Sequence, residues 1–336
     1  MYKIKNHTNN IKSYVSESGF AIKEGMIFNL NQNSTVLNEI VKQTEIHSFG
    51  ENYIISNDIR GNSKIINICD FALDERFKIN VIEYPYFEFY TQQTPRIYGV
   101  YDYENDRAFY ETTDWIGRDI VGTNIFSKDK GLITCRTIFS PEILWHFNLS
   151  DLGGDKNLSN TEYSYEVKHF IGITDNKLIV QLSNATFLFL DINSGNLTHK
   201  VNLIDSFPTP PVLYKDDIKS HLVGNQLYWL NNQRLLRIDL SSFHVTIIKD
   251  YFEEPRESQF RFMSSTYYDE KIYFVADFGW QYVTPSYIGV MDANTGDLLW
   301  HDQLENTGGL PEAPQVTEDK LYIRTNKGVL HIFEKE

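Results

Sequence analysis

At 336 residues the chain is long enough for one large closed all-β unit or for two ordinary domains. Its 41% hydrophobic and 14% aromatic content, with 22 Phe, 21 Tyr and 5 Trp, excludes a disordered polymer and leans towards sheet. With 31 Lys plus Arg against 45 Asp plus Glu, a formal charge of -14, it has the wrong sign for gripping phosphates, and no apolar run approaches the ~18 residues that span a bilayer.

In chain order, residues 1–17 are polar throughout and lack the apolar core of a signal peptide. Cys69 and Cys135 are the only cysteines, each inside an apolar strand-like stretch, Ile65 to Cys69 and Leu132 to Cys135. No disulfide framework is possible from that pair, and two isolated thiols suit a reducing compartment, so the expected location is cytoplasmic.

From residue 50 onwards a polar turn followed by a short apolar strand recurs. It reads GENYIIS at 50–56 with Ile54 as anchor, matches loosely around Ile97 and Leu132, and returns at 174–180, 223–229, 268–274 and 317–323 with anchors Leu178, Leu227, Ile272 and Leu321. The last three separations are 49, 45 and 49 residues, and Ile54 to Leu321 averages 44.5 over six intervals. A period of roughly 40 to 50 residues is the signature of propeller blades, and seven anchors predict seven of them.

A second landmark is an apolar strand ending in Asp and a tight turn: FLFLDINSGN ending at Asp191, RLLRIDLSS at Asp239 and YIGVMDANTGD at Asp292. Asp accepts hydrogen bonds from the backbone of the turn it opens, and Gly195 or Gly296 supplies the positive φ that the reversal needs. An outer strand follows, with Trp300 in DLLWHDQL and Trp145 at the same place in SPEILWHFNL.

The run Asp-x-x-x-Gly-x-x-x-Trp at 292–300 resembles the signature of quinoprotein-type (PQQ-like) propeller repeats. The resemblance spans about residues 50 to 336 in spacing and is complete in motif once. It implies a propeller whose Trp145 and Trp300 pack between neighbouring sheets. The expected fold is therefore all-β, a single seven-bladed β-propeller of four-stranded antiparallel blades occupying residues 1–336. Residues 313–336 hold room for two or three strands only, and an open ring leaves sheet edges unpaired. Strands from about 20–45 are expected to complete that last blade, with Met26 to Leu30 or Val36 to Val41 pairing with Gly328 to Phe333.

Chemistry is sparse. Nine histidines lack the close spacings of helix-borne zinc sites. The calcium-loop likeness of DANTGD fails at its twelfth position, which is Gln303. No Gly-x-Ser-x-Gly elbow, phosphate loop or dinucleotide fingerprint occurs. The repeat does not bring a quinone with it, so neither cofactor nor metal is expected. The irregular insertions remain: 101–119, rich in Tyr and Asp; 277–285, which lengthens its repeat; and the Pro-rich acidic links at 205–211 and 250–257. Exposed aromatics beside carboxylates suit a recognition surface, and the candidates are Tyr101, Asp102, Trp115, Asp277, Trp280 and Tyr282.

The expected function is a non-catalytic protein-binding scaffold, with an acidic immunity-type protein that neutralises a basic partner as its specific form. The alternative is an enzyme or sensor that binds a sugar or other polar small molecule in the propeller channel, using Arg96, Asp102, Asp114 and Arg118.

Overall fold

A computed structural model describes all residues except 1, 38–42, 59, 61, 92–93, 115–118, 130, 154, 157–161, 204–217, 232, 252–258, 279–286, 305–307 and 311. No α-helix occurs among the described residues. They form eight four-stranded antiparallel sheets, seven of them built of consecutive strands and the eighth joining the first strand of the chain to the last three, and one two-stranded ribbon. The chain divides into two compact units, residues 12–166 with 190–197, and residues 1–11 with 167–189 and 198–336.

Blades 1 to 4 belong to the first unit. Their second strands are Phe20–Lys23, Tyr53–Asp58, Tyr86–Tyr90 and Asn124–Asp129. Their third strands are Met26–Asn29, Ser63–Asn67, Tyr98–Asp102 and Leu132–Thr137. Three cores join these blades. Phe20 and Ile22 of blade 1 meet Ile46, Ile54 and Ile66 of blade 2; Phe49, Ile55 and Ile65 meet Phe87, Phe89 and Tyr101 of blade 3; Val100 meets Ile120, Ile125 and Ile138 of blade 4. Consecutive residues of a strand point to opposite faces, so Ile54 packs towards blade 1 and Ile55 towards blade 3.

Blades 5 to 8 follow the same plan. Their second strands are Lys177–Leu182, Gln226–Asn231, Lys271–Phe278 and Lys320–Arg324. In blade 6, Leu227 and Trp229 join Phe187 and Phe189 of blade 5, while Tyr228 and Leu230 join Phe262 and Phe274 of blade 7. Val275 and Val290 of blade 7 then pack with Leu321, Ile323, Phe333 and Tyr2 of blade 8.

The structure corrects the blade count from seven to eight. The additional blade is Ile11–Val15, Phe20–Lys23, Met26–Asn29 and Ser34–Leu37, a full sheet in 27 residues. A period near 45 hid it, because strands of four or five residues with tight turns need far less chain. Met26–Asn29 accordingly pairs with Phe20–Lys23 inside its own blade, and not with the C-terminal strand. The strand that completes blade 8 is Tyr2–Thr8, paired antiparallel with Leu330–Lys335 from Tyr2 opposite Lys335 to Thr8 opposite Leu330. Joining of the two chain termini in one sheet was expected; the segment that does it lies some twenty residues earlier. Ile97 and Leu132 belong to third-strand segments of blades 3 and 4, whose true anchors are Phe87 and Ile125. Measured on the anchors Ala21, Ile54, Phe87 and Ile125, the first intervals are 33, 33 and 38 residues.

Deleting residues 1–9 removes the outer strand of blade 8 and takes the Tyr2 ring from its core. The expected cost is about 3 kcal/mol, with loss of amide-exchange protection centred on 320–335. Unchanged protection there would show that the strand contributes nothing to the blade.

Candidate functional site

Tyr101 is a core residue. It is 8% exposed, its ring lying 4.4 Å from Phe77 and stacked at 5.4 Å on Phe87. Its hydroxyl donates to Asp106 at 2.6 Å. Arg76 binds the same Asp106 oxygen at 2.8 Å and grips Asp74 through Nε and Nη2, so one guanidinium ties the end of blade 2 to a turn of blade 3. The Tyr101 hydroxyl and then Arg76 hold the Asp106 carboxyl below the usual range.

Asp102 is 2% exposed, and its carboxylate accepts from the backbone N–H and side-chain amide of Asn105. Asp277, also 2% exposed, faces Arg261 across the strand pair and binds it through two nitrogens. Trp115, Trp280 and Tyr282 lie outside the described residues, as does Arg118. Of the other enzyme candidates, Arg96 sits 5.1 Å over Tyr90 and Asp114 is exposed. Tyr101, Asp102 and Asp277 thus serve packing, a turn and an ion pair.

That turn is general. In blades 1, 2, 3, 5, 6 and 7 the third strand ends in Asn29, Asn67, Asp102, Asp191, Asp239 or Asp292, and each side chain accepts from a backbone N–H two or three residues on. Four residues after each cap the backbone enters the left-handed region: Asn33, Phe71, Asp106, Gly195, Phe243 and Gly296. The sequence motif Asp-x-x-x-Gly is therefore a special case of Asx followed by a left-handed residue. Five of these residues also touch the preceding blade. Phe71 meets Phe20 at 6.2 Å and Asp106 meets Arg76. Phe243 stacks on His199 at 3.7 Å. A Cβ on Gly195 would come within 2.6 Å of Trp145, and one on Gly296 within 2.4 Å of Lys249. Trp145 donates Nε1–H to Ile192 O at 2.7 Å, and Trp300 lies 5.4 Å from both Tyr2 and Phe333. At Asp239 the Gln226 amide, then Ser242, hold the carboxyl down at about 2.

Other polar groups have structural partners. His221 Nε2 lies 2.9 Å from Ser265 Oγ, joining the first strands of blades 6 and 7, and burial followed by Lys219 depresses its imidazole to about 4. Cys135 is buried, its thiol pushed up to about 12 by that burial, whereas Cys69 is exposed. Among the described residues no three His, Cys, Asp or Glu side chains are grouped to hold a metal ion.

Among the described residues, two open grooves lie within the first unit. One, of about 530 Å³, is bordered by His146, Asn148, Asp151, Ser194 and Asn196. The other, of about 600 Å³, is bordered by Glu17, Ser18, Glu51, Ile82, Glu83 and Tyr84. Sequence reasoning missed the second. Glu17, Glu51 and Glu83 stand at intervals of 34 and 32 residues, each in or entering the turn between the first and second strands of blades 1, 2 and 3. The short period of those blades was the signal. The same turn carries exposed Asp175 in blade 5, Asp269 and Glu270 in blade 7, and Glu318 and Asp319 in blade 8. None of these turns contains Lys or Arg, although Lys271, which follows one, pairs with Asp269 at 3.3 Å.

No protein-family model and no curated protein matches the chain. Solved structures do resemble it along nearly its whole length. The computationally designed Ika8 protein is 12% identical with a TM-score of 0.63, covering 99% of this chain and 98% of that one. The C-terminal WD40 domain of Sif2 is 9% identical with a TM-score of 0.62, covering 100% and 99%. Saccharomyces cerevisiae Sqt1 is 12% identical with a TM-score of 0.54, covering 99% and 98%. At such identities the likeness shows the fold alone. WD40 domains are β-propellers, and this chain is an all-β propeller of eight four-stranded blades.

Two predictions follow from the turns and the buried imidazole. Phe243→Gly relieves about 1 kcal/mol of left-handed strain but forfeits the contacts with His199 and Phe189, for a net loss of about 1 kcal/mol in chemical denaturation; a stabilised variant would refute the clip. His221 is neutral in the fold down to about pH 4, while the unfolded chain takes up its proton from 6.5. The unfolded state thus binds more protons between those values, and stability falls on acidification through that window by up to about 3 kcal/mol. His221→Gln should flatten this part of the stability-against-pH curve, and an identical curve would count against it.

Proposed function

We propose that the chain is a non-catalytic protein-binding scaffold that captures a basic partner through the carboxylates of its first turns. The observation that carries this reading is their placement: in three blades of each unit an exposed Asp or Glu stands in or at the short turn between the first and second strands. Opposite charge on a partner would meet repeated, preorganised acids, which favours fast encounter and correct register. Asp102, the buried carboxylate considered for catalysis, supports it from the other side, since it closes a turn. A propeller fold suits such a role, because its hairpins vary without disturbing the sheets between them.

Within this reading the chain is an immunity-type protein that neutralises a basic toxin, its repeats are of the quinoprotein-like type, and it works in the cytoplasm. Support for the repeat type is the packing of Trp145 over Gly195 and of Trp300 against Phe333. Support for the compartment is Cys69, an exposed and unpaired thiol.

The test is capture by the immobilised chain from its host extract at low and high ionic strength, repeated with Glu51→Lys, Asp175→Lys and Asp269→Lys combined. A basic protein is expected to bind at low salt, to elute as salt rises, and to be lost from the charge-reversed variant. Retention of acidic proteins alone, or no difference between the variants, would overturn the reading.

A further inference from the structure

We propose that the groove formed by the first turns of blades 1 to 3 is a receptor for an arginine side chain carried by that basic protein partner. The inference rests on the basic-partner reading above and adds the site and its chemistry.

The starting observation is Tyr84. Its side chain is 39% exposed, yet it is held at three points. Phe49 meets the ring edge-on at 5.0 Å and 75°. Gly50, at φ +66°, lets the backbone pass so close that a Cβ there would stand 2.8 Å from the ring carbons. The hydroxyl donates to Glu104 at 2.8 Å. An exposed ring with only a solubilising role has no reason to be fixed in this way. A ring whose orientation is settled in advance spares a ligand the entropy of ordering it.

What surrounds the ring selects the ligand. Glu17, Glu51 and Glu83 border the same groove, one from each of three successive blades, and no Lys or Arg is among its lining residues. Ser18 adds a buried Oγ without a hydrogen-bond partner. A guanidinium is the group that satisfies all of these at once. Its plane can lie on the tyrosine face by cation–π attraction while its fork of N–H donors meets the carboxylates. The volume of about 600 Å³ admits one such side chain with part of its backbone. Asp175, in the other unit, offers a carboxylate with no exposed tyrosine next to it in the turn and serves as the internal comparison.

The experiment uses the full chain and a capped Gly/Arg peptide, followed by titration calorimetry at low and high salt. Binding is expected, with Tyr84→Leu weakening it about three- to fivefold and Glu17→Gln/Glu51→Gln weakening it by a similar factor and flattening the salt dependence. Asp175→Asn should leave it unchanged, and the glutamine and asparagine variants should melt with the parent. Equal binding by Tyr84→Leu and by the glutamine variant would overturn the groove while leaving a basic partner possible through other turns. Failure of the unaltered chain to bind the peptide at low salt would overturn groove and basic partner together. Full displacement of the peptide by an equal concentration of spermidine would overturn a protein source in favour of a free polyamine.

Discussion

This fold depends on inner strands that are covered on both faces by the blades beside them in the same unit. In the middle blades of each unit the second strand buries alternate residues against opposite neighbours, as Leu227 and Trp229 do on one side and Tyr228 and Leu230 on the other. A sheet of four short strands has too little area to be stable alone; it becomes so only when both faces are covered. The same requirement explains why the chain ends meet. Leu330–Lys335 would be an unprotected edge without Tyr2–Thr8, whose Tyr2 also closes the core between blades 7 and 8.

Packing of faces leaves the relative height and tilt of neighbouring sheets to be settled, and the capped turns settle them. A side chain at the end of the third strand bends the chain, and four residues later a left-handed residue lands on the blade before. Where the neighbour is bulky, as at Trp145, that residue is Gly; where a gap must be filled, it is Phe71, Phe243 or Asp106. Non-glycine residues in this conformation cost about 1 kcal/mol each, so their use marks positions where contact outweighs strain.

These two devices also decide what could be read from the sequence. Continuous apolar runs announce a strand buried on both faces, which is why Ile54, Leu178, Leu227, Ile272 and Leu321 were legible as anchors. Blade 1 escaped because its second strand, Phe20–Lys23, holds three apolar residues and its blade occupies 27 positions. Outer strands such as Leu298–Gln303 are exposed along most of their length and carry almost no periodic signal. The turn motif was seen where the left-handed residue was Gly and, from its Asp alone, at Asp239; it was missed where that residue was Asn33, Phe71 or Asp106, because only glycine advertises a positive φ. For the groove, the failure was one of period: an interval near 45 cannot align Glu17, Glu51 and Glu83, which fall in step only at 33.

The division of labour between strands and turns bears on function. Substitutions in a strand buried on both faces disturb two cores at once, so recognition has to be written elsewhere. Hairpin turns between the first and second strands lie at the margin of the cores, and they are where the excess negative charge of the chain is displayed most regularly. Carboxylates on flexible loops would lose much of their attraction to salt and to their own disorder. Those on short hairpins keep a fixed spacing, and spacing is what distinguishes recognition of one partner from a general affinity for cations. Tyr84 adds the remaining element of selectivity, since an aromatic face beside a carboxylate favours a planar delocalised cation over a compact, strongly hydrated one.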